Sequence, residues 1–134
     1  MSIEEEYPDV LQNIEFRVIR LYRAHPEMTD YAVLRIYEAL AQLYSAEMTG
    51  RPPKPIEAEG LEAELFEGVK QMCELRLGRA SLPADLDVEE GTEFEPIEVE
   101  TLVRCLKRLV NSVSHWTRLG GRQGYLNFVS EFVV

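Results

Sequence analysis

The residues best suited to chemistry lie near the C-terminal end of the sequence, at helical spacing. Arg108, Asn111 and His115 place a cation, an amide and an imidazole at intervals of three and four residues. Side chains at these intervals share one face of a helix. Such a face can bind an anion, and an imidazole, which titrates near neutral pH, can act as a general acid or base. The candidates for binding a partner or an anion are Arg104, Lys107, Arg108, Asn111, His115, Arg118, Gly121 and Arg122.

A glycine-rich turn, Gly120-Gly121-Arg122-Gln123-Gly124, follows this segment. Backbone N–H groups in such a turn can cradle an anion, and Arg118 and Arg122 would add positive charge. The turn follows a predicted helix and not a strand, and it matches no phosphate-loop fingerprint. The simpler interpretation is a turn that connects two helices.

The spacing of Arg108 and His115 is similar to that of the Arg and His in helical RNA-cleaving toxins of the HEPN type. This resemblance implies RNA cleavage by the two residues. Leu109 follows Arg108 and Trp116 follows His115, and neither neighbour strengthens the match. Two residues do not establish a family.

The histidines give little support to other kinds of chemistry. Carboxylate-bridged metal centres in helical bundles use a glutamate three residues before a histidine. Here Tyr22 precedes His25 and Ser112 precedes His115 at that distance. With two histidines in the chain, no Ser-His-acid or Cys-His pairing can be assigned.

The acidic run Asp85-x-Asp87-x-Glu89 has the spacing of the first calcium ligands of an EF-hand loop. The glycine comes one residue late, at Gly91, and Pro96 occupies the twelfth position, where a bidentate glutamate is needed. The departure excludes an EF-hand and favours a solvated acidic loop. We therefore expect no metal site, no cofactor and no assignable catalytic residue.

The two cysteines, Cys73 and Cys105, lie at or beside apolar faces of predicted helices. Reduced, buried thiols are the simplest interpretation. A disulfide that joins two helices in an oxidising compartment is an alternative that the sequence leaves open.

The net charge of −10 is distributed unevenly along the chain. Residues 57–100 carry 3 basic and 14 acidic side chains, whereas residues 101–134 carry 5 basic and 1 acidic side chain. The basic end is either neutralised within the fold or retained for an anionic partner. Glutamates crowd the start of the third predicted helix, and the Arg104/Arg108 face is a candidate to balance them. The overall negative charge argues against general nucleic-acid binding.

Apolar periodicity predicts four helices. Their expected bounds are about Pro8–Ala24, Asp30–Met48, Ala58–Leu77 and Ile97–Leu119. Arg17 is expected on the polar side of the first helix, which His25-Pro26 ends. The alanines of the second helix are expected to let neighbouring helices come close. Thr29 and Gly50 have the residue types of an N-cap and a C-cap for the second helix. The fourth helix has the most regular apolar face, formed by Leu102, Leu106, Leu109, Val113 and Trp116.

The remaining segments connect or flank these helices. Residues 1–7 are expected to form an acidic arm. Residues 78–96 are expected to form an acidic connecting loop that is anchored to the bundle by Leu82, Leu86, Val88 and Phe94. Apolar spacing near the C-terminus predicts a short final helix. Its apolar side chains require cover from the core or from another subunit, so the candidate oligomer-interface residues are Tyr125, Phe128, Phe132 and Val133.

Together these patterns predict an all-α fold for a single domain of residues 1–134. The domain is an irregular bundle of four main helices plus a short C-terminal helix, with a long acidic crossover loop before the fourth helix. The expected function is a non-enzymatic, protein-binding or regulatory module, with homodimerisation as an option, that presents a basic face on its fourth helix. The alternative is an anion-, nucleotide- or RNA-binding protein, including an RNA-cleaving enzyme, that uses the Arg/His face and the glycine turn. An acidic N-terminus and the lack of a membrane-length apolar run favour the cytoplasm and no membrane partner.

Overall fold

The computed structural model describes residues 6–52, 57–84 and 91–119, with the backbone alone for Pro8 and residues 114–119. Within these ranges the chain forms four α-helices and no strand. The helices are α1 (Pro8–Ala24), α2 (Asp30–Thr49), α3 (Leu61–Arg76) and α4 (Val99–Leu119). The predicted all-α fold with four main helices is confirmed. The short C-terminal helix predicted after the glycine turn lies outside the described residues.

The ends of α2 follow directly from its capping residues. The Thr29 side-chain oxygen accepts a hydrogen bond from the Ala32 backbone N–H at 3.1 Å, as an N-cap should. Gly50 ends the helix in the left-handed conformation, with φ of 71°. Both predicted caps are therefore confirmed, and the observed helix extends one residue beyond the predicted end.

The helices α3 and α4 begin later than predicted. Gly60, immediately before α3, has φ of 59°, a conformation that a helix cannot include, so Leu61 and not Ala58 begins the helix. The backbone N–H of Ile97 donates to the Arg76 carbonyl oxygen at 2.7 Å. This bond ties residue 97 to the end of α3, and α4 begins at Val99.

All four helices contribute to one hydrophobic core. The helix α2 packs most extensively against α4, α1 packs against α3, and α2–α3 and α1–α4 contacts complete the bundle. The predicted apolar face of α4 is buried where its side chains are described, with Leu102 and Leu106 at 0% exposure. Because each such side chain contributes about 1.5–3 kcal/mol when buried, α4 is essential to the bundle.

The described parts of the 78–96 connection lie against the bundle. Leu82 and Ile97 pack against the core, and Pro83 is buried. The Phe94 ring lies under the Arg76 guanidinium, 5.4 Å from its carbon to the ring centroid. These contacts agree with the expectation for Leu82 and Phe94, whereas Leu86 and Val88 lie outside the described residues.

Candidate interaction surface

The outer side of α4 presents polar side chains to solvent. Arg104, Lys107, Arg108 and Asn111 are all exposed. We call these four residues the cationic face of α4. The opposite side of the same helix is buried, so the amphipathic spacing of the sequence fixes which side chains face outward.

Two cations of this face are not neutralised within the described part of the chain. Arg104 and Lys107 form no ion pair with a described carboxylate. By contrast, Arg35 pairs with Glu62 at 3.3 Å. Within the described part of the chain, α4 therefore presents two cations without an ion pair, although the chain as a whole carries a net charge of −10.

The glutamates at the start of α3 have other neighbours than the expected Arg104/Arg108 face. Glu62 pairs with Arg35 of α2, and Glu64 lies 3.7 Å from Nε2 of His25. The α3–α4 pairing is weaker than the contacts that α3 makes with α1 and α2, which explains this difference. Thus α2 and the α1–α2 connection, and not Arg104, provide the basic side chains next to these glutamates.

The remaining predicted site residues are not among the described side chains. The side chains of His115 and Arg118 lie outside the described residues, as do Gly121 and Arg122. The same holds for every candidate oligomer-interface residue, namely Tyr125, Phe128, Phe132 and Val133. The structure therefore brings together the N-terminal half of the predicted set, Arg104 to Asn111.

A groove runs along the outer side of α2, next to the cationic face. Its volume is about 630 Å³. Its lining also includes Phe66 of α3, Lys107 of α4, and Arg51 and Pro52, which follow α2. We call this cavity the α2 groove; its α2 lining is Ala39, Ala41, Gln42, Leu43, Ser45, Ala46 and Thr49.

A second depression of about 490 Å³ adjoins the α2 groove and shares Ala41, Gln42 and Lys107 with it. Its other lining includes Glu38 and Asn111. Lys107 thus lies between the two cavities, and the second one carries a carboxylate as well as the amide of the cationic face. The positive potential is expected to be highest towards Arg51 and Lys107 and to decrease towards Glu38.

The sequence pattern did not reveal the groove because its walls come from three helices. The alanines of α2 were expected to allow close approach of neighbouring helices. Ala32 and Ala41 are indeed buried, whereas Ala39 and Ala46 are only partly buried. Ala39, Ala41 and Ala46 all line the α2 groove. The signal available in the sequence was an excess of small residues on the outer side of a helix.

The end of α3 carries a buried arginine. Arg76 is 2% exposed, and its Nη2 lies 3.0 Å from Oδ2 of Asp9. Its Nε has no hydrogen-bond partner among the described residues. Arg76 follows buried Met72 and Cys73 by four and three residues, so the helical spacing itself signals its inward position. The Asp9 pair and the Phe94 contact make it a structural link between α1, α3 and the connection before α4.

A second arginine contradicts the sequence prediction for α1. Arg17 was expected on the polar side, but it is 7% exposed, and its Nε donates to the Gly68 carbonyl oxygen at 3.3 Å. Gly68 leaves room for it: a Cβ atom at Gly68 would lie 3.3 Å from that nitrogen. Arg17 follows Ile14 by three residues and precedes Leu21 by four, so it shares their side of the helix.

Glu15 is an unexpected titratable group at the edge of the apolar face of α1. Its neighbours on the same side of the helix are Leu11, four residues before it, and Val18 and Ile19, three and four residues after it. All three are buried. Burial raises the pKa of the Glu15 carboxyl to about 7. The group forms no ion pair or hydrogen bond with the described residues, so we assign it no binding role.

Both cysteines are free and buried, as predicted. Burial raises the pKa of the Cys105 thiol to about 11 and that of the Cys73 thiol well above its usual range. The neutral thiol is a poor nucleophile and a poor metal ligand. Cys73 and Cys105 therefore act as small apolar core residues in this fold.

Within residues 6–52, 57–84 and 91–119, no three His, Cys, Asp or Glu side chains are grouped so that they could hold a metal ion. None of the helices in these ranges combines the length and the apolar composition that a membrane-spanning segment requires.

Comparison with known proteins adds no relative to this description: the chain has no significant match to a protein-family profile, to a curated protein or to a solved structure.

Proposed function

We propose that this protein is a non-enzymatic interaction or regulatory module that binds another protein through the cationic face of α4. The observation that carries the proposal is the exposure of Arg104 and Lys107 without described ion pairs, on a helix whose opposite side is sealed in the core. A surface of this kind is rigidly positioned, because moving it would require unpacking α4 from α2.

Charge arrangement supports a protein partner. On a molecule with a net charge of −10, a local positive surface orients an approaching acidic partner while the rest of the protein repels it. Nucleic acid needs several phosphate contacts for useful affinity and would meet the repulsion of the whole molecule. An acidic protein surface needs only a local match.

The first test compares protein capture by three forms of the chain in extract of the source organism. The forms are the wild type, the double variant Arg104→Glu/Lys107→Glu and the control Arg20→Glu/Arg23→Glu. Both double variants change the net charge equally, and the control changes cations of α1. We expect a partner that the wild type and the control retain and the α4 variant loses. A set of captured proteins that is the same for all three forms would refute the proposal.

The second test addresses anion, nucleotide or RNA binding. Thermal melting is measured with and without phosphate, a nucleoside triphosphate and a short RNA. A ligand that binds only the folded state stabilises it by RT ln(1 + [L]/Kd) and therefore raises the melting temperature, further as the ligand concentration increases. We expect no shift. A shift that Arg118→Ala and Arg122→Ala abolish would favour the alternative function.

A further inference from the structure

The α2 groove adds to the cationic face what charge alone does not supply. Exposed ion pairs are weak and screened by salt, so a cationic face steers a partner without holding it firmly. Apolar surface that becomes buried supplies the larger part of a stable interface. Lys107 belongs to the cationic face and also lines the α2 groove, so the two features form one surface.

The length of the α2 lining is sufficient for a bound helix. Its α2 lining from Ala39 to Thr49 spans about 15 Å, or about three helical turns. Ala39 and Ala46 have no side chain beyond Cβ, so a partner helix can come close to α2. Leu43 and Phe66 supply apolar contact within the groove. Apolar side chains spaced by three and four residues on a partner helix match such a lining.

The charges of the groove select an acidic partner. Arg51 and Lys107 both line it, and neither forms an ion pair with a described carboxylate. Arg104 adds a third exposed cation on α4. Glu38 lies in the adjoining depression, so carboxylates of the partner should meet Arg51 and Lys107 and not the Glu38 end.

We infer that the α2 groove binds an acidic amphipathic helix of a partner protein, with its apolar side on the α2 lining and its carboxylates at Lys107 and Arg51. This inference rests on the proposed function and names the kind of partner. A helix is favoured over an extended segment because the groove is formed by helices, and no strand edge is present in the described ranges.

The test uses two labelled synthetic peptides of about 15 residues, enough to cover the groove. Both carry leucines at helical spacing of three and four residues; one has glutamates beside them and the other lysines. Fluorescence anisotropy measures their dissociation constants. We expect the acidic peptide to bind and the basic peptide to bind at least about tenfold more weakly, with affinity for the acidic peptide decreasing as salt increases.

Four variants locate the binding. Ala46→Leu fills the groove and Lys107→Glu reverses a charge of its wall, and each should weaken acidic-peptide binding at least about tenfold. The controls Ala24→Leu and Arg23→Glu, at exposed positions near the end of α1, should change it less than about twofold. Circular dichroism checks that each variant is folded. Ala39→Leu replaces Ala46→Leu if the latter does not fold.

Several results would overturn the inference. Equal binding of the two peptides would show that the surface does not select an acidic helix. Binding that a folded groove-filling variant leaves unchanged would show that the peptide does not bind in the α2 groove. Sedimentation that shows a dimer dissolved by Ala46→Leu would identify a second copy of the chain as the occupant instead. A partner capture that still depends on Arg104 and Lys107, without acidic-peptide binding, would overturn the groove and retain the proposed function. If the protein neither binds the acidic peptide nor captures a partner through Arg104 and Lys107, the inference and the proposed function are both refuted.

Discussion

The carboxyl of Glu15 gives a prediction whose size follows from its environment. Burial beside Leu11, Val18 and Ile19 raises its pKa from 4.5 to about 7. One pKa unit corresponds to about 1.4 kcal/mol, so the ionised carboxylate lowers the free energy of unfolding by about 3 kcal/mol relative to the neutral acid. Glu15→Gln replaces the carboxyl with a neutral amide of similar size and should remove this penalty.

The sign of the pH dependence follows from proton binding. Between pH 4.5 and about 7 the folded protein holds the Glu15 proton more tightly than the unfolded chain does. The contribution of Glu15 to stability is therefore fully present below pH 4.5 and is lost as the pH rises to about 7 and beyond. The variant and the wild type should have the same free energy of unfolding below pH 4.5. At pH 8 the free energy of unfolding of the variant should be higher by up to about 3 kcal/mol.

Urea unfolding, followed by circular dichroism at several pH values, measures this difference. Other groups also titrate in this range, but they cancel in the comparison of wild type and variant. Glu67→Gln, at an exposed position of α3, is the matched control and should give curves parallel to those of the wild type. If the stability difference between wild type and Glu15→Gln does not change with pH, the carboxyl is not buried in the folded protein.

Three further predictions concern the core, the cysteines and the cap of α2. Leu106→Ala should lower the free energy of unfolding by about 2–5 kcal/mol, because it leaves a cavity at a residue of 0% exposure. Arg104→Ala should change the free energy of unfolding by less than about 0.5 kcal/mol. Similar losses for the two variants in urea unfolding would contradict the orientation of α4. Buried Cys73 and Cys105 should react with a thiol reagent at pH 8 only as fast as the protein opens, and rapidly in denaturant, whereas fast reaction of the folded protein would refute their burial. Thr29→Ala should lower the free energy of unfolding by about 1 kcal/mol, with Thr29→Ser close to wild type, and an equal loss in both variants would show that the hydroxyl is not the cap.

Local signals in the sequence predicted the helices well. Thr29, Gly50 and the His25-Pro26 stop act through neighbouring residues, so the bounds of α1 and α2 could be predicted with small error. The predicted start of α3 was wrong because the helix begins after Gly60, whose backbone has a positive φ. Glycine permits this conformation, but the presence of a glycine in the sequence does not show that the conformation is adopted. Residue 97 is held outside α4 by a bond to Arg76, a partner more than twenty positions away that no local pattern identifies.

The candidate surface was predicted only in part. The outward orientation of Arg104 and Lys107 follows from the apolar period of α4, which the sequence displays directly. The α2 groove depends on where Phe66 and Lys107 come to lie beside α2, and helix packing decides this. Arg17 was misplaced for the same reason, because its partner, the carbonyl oxygen of Gly68, belongs to another helix.

The most direct test of the interaction surface is the dissociation constant of the captured partner, purified and titrated against each form of the chain. Replacing Arg104 and Lys107 by glutamate should weaken binding at least about tenfold and reduce its dependence on salt. The equally charged Arg20→Glu/Arg23→Glu control should keep an affinity within about twofold of the wild type. Equal weakening by the two double variants would contradict a binding role for the cationic face of α4, because it would show that net charge alone determines binding.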